Sequence, residues 1–203
     1  MFDVLIIGGG ASGVSAALLL GSAYKKPYAI NKKIAIITHQ RSSYLQTGVY
    51  NNVYGIKPGT LGSTLLKESL AHLATMYPDV EQISNEKVTA VYNEENHFKI
   101  ITNKATYFSK NVIVATGSSN PLNIEGLEQY VIPHKKVNVL KNRIQLQHTD
   151  NIVVKGLYVA GTLAGCRSQL SIAMGSGANV AAEILTLWNN GDAVQVHDAL
   201  EKP

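Results

Sequence analysis

The stretch Asp3-Val-Leu-Ile-Ile-Gly-Gly-Gly-Ala-Ser-Gly13 begins as an apolar run of β type, turns through glycines and continues into a helical pattern. That order suits a bound pyrophosphate. Gly8 permits a tight turn out of the strand, Gly10 lets the backbone approach the phosphates, and Gly13 lets the following helix pack on the sheet with its N-terminal amides facing the anion. The spacing alone is weak; its position between strand and helix makes it informative.

Working outward, residues 13–22 keep helical spacing, 24–33 are polar and contain Pro27, and 34–38 (Ile-Ala-Ile-Ile-Thr) read as a second buried strand, completing β-α-β. The crossover is longer than a compact unit needs, so residues 25–31 are expected as an exposed loop. Turn signals at Asn51-Asn52, Pro58-Gly59 and Gly62 precede a predicted helix over 63–76, with Leu65, Leu66, Leu70 and Leu73 on one face. Short β runs at 88–92, 98–102 and 105–108 predict an antiparallel meander, and 112–115 reads as a separate strand buried on both faces. Beyond Gly117, strands are expected at 137–140, 144–146 and 157–160. A long helix with small residues in its first turns is expected over 169–188.

Composition narrows the classes. A chain of 203 residues, 45% hydrophobic, suits a single α/β domain with a substantial core. The 18 basic and 14 acidic residues leave a net charge of +4, with the basic residues scattered or in pairs such as Lys25-Lys26 and Lys135-Lys136, which reads as surface charge and not a nucleic-acid groove. The apolar run 4–20 is broken by glycine and serine and lacks a preceding basic segment. It fits neither a secretory signal nor a membrane span, and a soluble cytoplasmic protein is expected. The single Cys166 excludes an intrachain disulfide and a CxxC dithiol. His39, His72, His97, His134, His148 and His197 show no ligand spacing, so no metal is expected.

Three separated segments repeat the scheme of strand followed by glycine turn: Ile7-Gly-Gly-Gly10, Val114-Ala-Thr-Gly117 and Val159-Ala-Gly-Thr162. In open α/β folds the ligand lies beyond the carboxyl ends of the strands, so all three turns are expected to border one extended dinucleotide. Together with Asn52-Val-Tyr-Gly55 before an amphipathic helix, this order resembles the FAD-binding domain of thioredoxin-reductase-like flavoproteins. The resemblance covers nearly the whole chain. It implies a Rossmann-like, doubly wound parallel sheet with an antiparallel meander, binding FAD through residues 1–117 and 156–190.

The resemblance also implies roles at matched positions. Gly8, Gly10, Ala11, Ser12 and Gly13 would hold the pyrophosphate and adenosine side, Thr116 and Gly117 would lie beside the adenine half, and Gly161 and Thr162 would approach the ribityl chain. Gln169 would begin the helix facing the pyrimidine edge of the flavin, where a helix N-terminus stabilises negative charge on the reduced ring. Asn52 matches an asparagine near the ring. Two positions depart from the family pattern. The acidic residue usual at the end of the second strand is replaced by Thr38 followed by His39, with Gln40 and Arg41 as further candidates for the ribose, and the aspartate usual after the third glycine is replaced by Thr162.

Residues 118–155 are too few for a second dinucleotide-binding domain of roughly 100 residues and hold no second glycine motif. The chain is therefore expected to be a FAD-dependent oxidoreductase without the NAD(P)H domain, reduced by an external donor (nicotinamide nucleotide, redox protein or small thiol) and passing electrons to an unidentified acceptor. A homodimer covering the open flavin face is a further expectation. The alternative is a non-catalytic FAD- or nucleotide-binding module, or a subunit of a larger redox complex. Cys166 is a weak catalytic candidate beside the role of a small buried hydrophobe. Arg167 near the pyrophosphate, and Tyr44, Tyr50 and Tyr54 stacking on the flavin, compete with ordinary surface and packing roles.

Overall fold

The computed structural model describes residues 1–39 and 43–196. The chain passes through β1 (Phe2–Ile7), α1 (Ala11–Ser22) and β2 (Ile34–Thr38), then a small flap of β3 (Val49–Tyr50) and β4 (Thr60–Leu61), before α2 (Gly62–Met76) and β5 (Val80–Ser84). A meander of β6 (Val88–Glu94), β7 (His97–Thr102) and β8 (Thr106–Val114) follows. The chain then forms β9 (Val131–Pro133), β10 (Ile144–Leu146), β11 (Ile152–Val154), β12 (Leu157–Val159) and α3 (Leu170–Trp188).

The main sheet runs β11-β12-β8-β1-β2-β5, with β6 and β7 attached through β8. From β1 the chain winds outward in both directions, to β2 and β5 on one side and to β8 and β12 on the other, all parallel. This is the expected α/β topology. Side chains alternate across it with period two. Val4, Ile6, Ile34, Ile36 and Ile113 join α1, α2 and α3 in one apolar cluster, while Leu5, Ile7, Ala35, Ile37, Val112 and Val114 join the meander and residues 124–146 in another. Each fully buried Val, Leu or Ile contributes roughly 1.5–3 kcal/mol of transfer free energy.

Between sheet, α2 and α3, α1 is apolar on nearly every side, and Val14, Ala16, Ala17 and Leu20 are all buried. Helix α3 is long and apolar enough to cross a membrane by length and composition, but it lays Val180, Ala181, Ile184 and Leu185 against the same core.

The structure corrects the expected strands in three places. The runs at 105–108 and 112–115 are one strand, β8, which belongs to the meander at its start and to the parallel sheet at its end. Its polar middle permits the passage: Ser109 pairs with both Phe2 and Phe98, its hydroxyl donates to Asn111 O at 2.6 Å, and Asn111 Nδ2 donates to Asp3 O at 3.0 Å. Residues 137–140 form no strand. Val139–Lys141 is a 3-10 turn whose Leu140 N–H is capped by Asn138 Oδ1 at 2.9 Å. Strands β3, β4, β5, β9 and β11 carry no pattern of their own, because β5 has only Val80 and Ile83 as apolar positions and the other four are two or three residues long.

Candidate functional site

The strand register sets the site. Ile7 pairs with Val114, and Val114 pairs with Val159, so β1, β8 and β12 end side by side and release their glycine turns at one edge. In the first turn, Gly8 has φ +114°, and an added Cβ would lie 2.6 Å from Ala115 O of the second turn. Only glycine lets these two chain segments approach so closely. Helix α1 then crosses back over the turn, with Gly13 so close that a Cβ there would overlap Gly8 O.

The third turn locks onto the first. Gly161 has φ +71° and faces the buried Ser12, whose hydroxyl oxygen would be 2.6 Å from an added Cβ. Its N–H donates to Ser176 Oγ of α3 at 2.9 Å, and a Cβ on Gly177 of the same helix would overlap Ser12 O. The small residues in the early turns of α3 thus let that helix pack directly on the start of α1. Gly117, with φ +84°, completes the row; the nearest atom to its added Cβ is Thr162 Oγ1 at 3.8 Å.

Gly10 has similar room. Among the described residues the nearest atom to a Cβ added there is Ser43 Oγ at 3.9 Å, so these residues leave a cradle in front of Gly10. Gly10 is the N-cap of α1, no side chain caps that helix, and its first turn carries no acidic residue. The same holds for α3, N-capped by the backbone of Gln169. Leu170 is seven residues ahead of Gly177, which puts the α3 N-terminus about 10 Å beyond the first turn at 1.5 Å per residue. Two electropositive helix ends therefore border one edge.

The three turns thus bring together Gly8, Gly10, Ala11, Ser12, Gly13, Thr116, Gly117, Gly161 and Thr162. The cradle and the two helix ends fit an extended dinucleotide whose phosphates would lie at the α1 N-terminus. At residues 2–178 the chain matches the family model described as pyridine nucleotide-disulphide oxidoreductase. The chain belongs to the pyridine nucleotide-disulphide oxidoreductase family. Ferredoxin--NADP reductase 1 from Bacillus licheniformis is 30% identical over 167 residues, 77% of this chain and 44% of that protein. The chain spans less than half the length of such curated relatives. Thioredoxin reductase from Lactococcus lactis superposes with a TM-score of 0.70 at 14% identity, over 94% of this chain and 100% of that one. A ferredoxin-flavin thioredoxin reductase from Clostridium acetobutylicum gives 0.68 at 16%, over 93% and 98%. These two likenesses concern the fold. The family and its fold are those of FAD-binding flavoproteins, and FAD is the cofactor of this pyridine nucleotide-disulphide oxidoreductase chain.

The other candidates are distributed unevenly around the three turns. Thr38 ends β2 at only 2% exposure, with His39 exposed after it; Gln40 and Arg41 lie outside the described residues, as does His197. Asn52 is exposed on the turn between β3 and β4. The flap runs directly into α2, whose first residue, Gly62, leaves no room for a Cβ beside Leu45 O of the 3-10 turn that precedes the flap. Cys166 is half-buried against the apolar cluster and its N–H points to Gly161 O at 3.3 Å, in keeping with the hydrophobic role. Arg167 is exposed. Among the described residues no group of His, Cys, Asp or Glu is placed to hold a metal.

Of the three tyrosines, Tyr54 is fully exposed, and burial raises the pKa of the half-buried Tyr50. Tyr44 is engaged elsewhere. Its ring lies under the Arg143 guanidinium, 4.5 Å from the centroid, and its hydroxyl accepts from Ser119 Oγ at 3.4 Å and from Arg143 Nη1. These contacts hold its pKa below the ordinary tyrosine value. The clasp ties the segment after Ser43, beside the open cradle, to the chain just past Gly117. Sequence reading missed Ser43, Arg143 and Ser176, which lie in none of the glycine motifs; for Ser176 the run of small residues in α3 was the available signal.

Proposed function

We propose that this chain is a FAD-dependent oxidoreductase that receives its electrons from outside its own FAD domain. The open cradle at Gly10, set in a row of three register-aligned glycine turns, carries the reading. The α1 amides at Gly10, Ala11, Ser12 and Gly13 hold the pyrophosphate, with Gly8 making the turn; Thr116 and Gly117 flank the adenine half. Gly161 and Thr162 line the ribityl path, and the helix opening at Gln169 steadies negative charge at the pyrimidine edge. Thr38 and His39 take the ribose end, where a hydroxyl and an imidazole stand in for a carboxylate. Asn52 reaches the ring from the flap. Bound FAD supplies the ability to accept electrons from a donor and pass them to an acceptor; the protein supplies position and electrostatics.

Residues 118–155 take the place of the NAD(P)H domain and leave the flavin face open to an external donor, a nicotinamide nucleotide or a redox protein. The likeness to the Bacillus ferredoxin--NADP reductase and the Clostridium ferredoxin-flavin thioredoxin reductase supports a redox protein. A soluble, cytoplasmic homodimer, its second copy shielding that face, completes the proposal. Because the chain spans 44% of its relative, a role as one subunit of a larger redox assembly is the second reading.

The purified protein should be yellow, release FAD on denaturation, and be bleached anaerobically by NADPH or by reduced ferredoxin, then recover repeatedly on adding an acceptor. A colourless protein that cannot be reconstituted with FAD overturns the proposal. Stable flavin without cycling selects the subunit reading.

A further inference from the structure

We propose that the connection between β9 and β10, residues 134–143, is the docking site for an acidic electron-carrier protein; this rests on the flavoprotein reading above. The connection carries Lys135, Lys136, Lys141 and Arg143 and no acidic residue. Those four charges equal the net charge of the whole chain, +4, so the excess positive charge resides here and the remainder balances. At its tip Val139 and Leu140 are 88% and 92% exposed, two adjacent large apolar side chains almost wholly in water. Cations around an apolar pair call for a partner with an acidic rim around an apolar recess.

The finger is ordered in advance. Asn138 caps the tip, Asn142 Oδ1 accepts from Asn120 Nδ2 at 2.7 Å, and Arg143 stacks on Tyr44. At its root His134 N–H donates to Arg143 O at 3.0 Å and Lys135 N–H to Gln145 Oε1 at 3.0 Å. Docking on such a surface costs little ordering entropy. Its location decides between partners. Ile144 N–H donates to Ser118 O, and Ser119 bridges Arg143, so the finger rises directly beside the Gly117 turn and the cofactor groove. An electron carrier needs that proximity, whereas an anionic membrane does not. Each docking event moves one electron from the carrier to FAD. Two carriers are oxidised, and two protons are taken from water, for each FAD reduced to FADH2.

The test uses the full chain loaded with FAD and, as probe, an acidic [2Fe–2S] ferredoxin reduced chemically. Stopped-flow reduction and calorimetric binding are compared for the wild type, the triple variant Lys135→Glu/Lys136→Glu/Lys141→Glu, and the double variant Val139→Ser/Leu140→Ser. The charge-reversed protein should lose at least tenfold in bimolecular rate and most of the salt dependence. The double variant should lose severalfold and keep the salt dependence. Dithionite should reduce all three equally, which shows that fold and flavin are intact. Wild-type rates and binding in both variants, or no ferredoxin binding by the wild type, overturn the proposal. So does finger-dependent binding to phosphatidylserine vesicles without ferredoxin binding. Absence of bound FAD sinks the flavoprotein reading, while calorimetry still reports on the finger by itself.

Discussion

Gly161 and Ser12, from opposite ends of the chain, meet so closely that the space a Cβ would need on Gly161 is taken by the Ser12 hydroxyl, 2.6 Å away. That contact clamps the third glycine turn onto the first. Gly161→Ala should therefore lower stability by about 1–3 kcal/mol, from left-handed backbone strain together with the clash. FAD affinity should fall with it. Removing the hydroxyl in Ser12→Ala/Gly161→Ala should return only the hydroxyl's share of the clash, leaving the strain and the approach to Ser12 Cβ at 3.1 Å. Urea denaturation of the four proteins of this cycle measures the split, and additive effects would show that the two residues are not coupled.

Gly10 and Gly13 belong to the same motif but should respond oppositely to alanine. At Gly13 a methyl overlaps Gly8 O, so Gly13→Ala should disrupt the junction of β1 and α1 and lower the melting temperature by several degrees. At Gly10 the methyl meets no described atom closer than Ser43 Oγ at 3.9 Å, so the apoprotein of Gly10→Ala should melt within a degree or two of wild type. Its affinity for FAD should nevertheless fall by about tenfold or more, on the order of 1.4 kcal/mol, because the methyl occupies the approach to the phosphates. Equal FAD affinity in Gly10→Ala would mean that the cradle does not hold the pyrophosphate.

Tyr44 offers a readout of the clasp beside the groove. The Ser119 hydrogen bond and the Arg143 guanidinium favour its ionised form and hold its pKa below 10.0. Removing either partner should raise it toward that value, so at a pH just under 10 a smaller fraction of Tyr44 is ionised in Ser119→Ala or Arg143→Ala than in wild type. NMR titration of ring-labelled tyrosine, assigned with Tyr44→Phe, measures this. An unchanged titration in both variants contradicts the clasp.

Much of this architecture is legible in the sequence where local pattern and tertiary role coincide. Residues 34–38 read as a buried strand because all five positions are buried. The glycine turns are legible because backbone approach leaves glycine no substitute. The pattern fails where a neighbour decides. Val80-Glu-Gln-Ile-Ser84 forms an edge strand only because β2 supplies the pairing, from Ile34↔Val80 to Thr38↔Ser84. Val137-Asn-Val-Leu140 has strand composition but pairs with no strand among the described residues, and its Val139 and Leu140 stay out in water. Similarly, the end of β2 at Thr38 is legible, but its 2% exposure comes from packing that no spacing reveals.

Asp3 sits at the opposite end of β1 from the glycine turns and joins that strand to both neighbours. Its carboxylate accepts from Lys33 N–H at 3.0 Å, at the entry to β2, and pairs with Lys110 Nζ at 3.0 Å on β8. Burial alone would raise its pKa, but the Lys33 N–H and the charges of Lys110 and Lys32 outweigh burial and hold it below 3.8. A depressed carboxylate pKa stabilises the folded state above the unfolded value, and the contribution is lost as pH falls through the folded value. Asp3→Asn, which can still accept from Lys33, should cost less than about 1 kcal/mol at pH 7, since the Lys110 side chain is 54% exposed and the pair is screened. The difference should shrink with added salt and vanish once the pH is below the folded pKa of Asp3. Urea titrations of both proteins at pH 7, with and without 1 M NaCl, and again at successively lower pH measure it. A cost that persists unchanged at the lowest pH would assign Asp3 a packing role and not an electrostatic one.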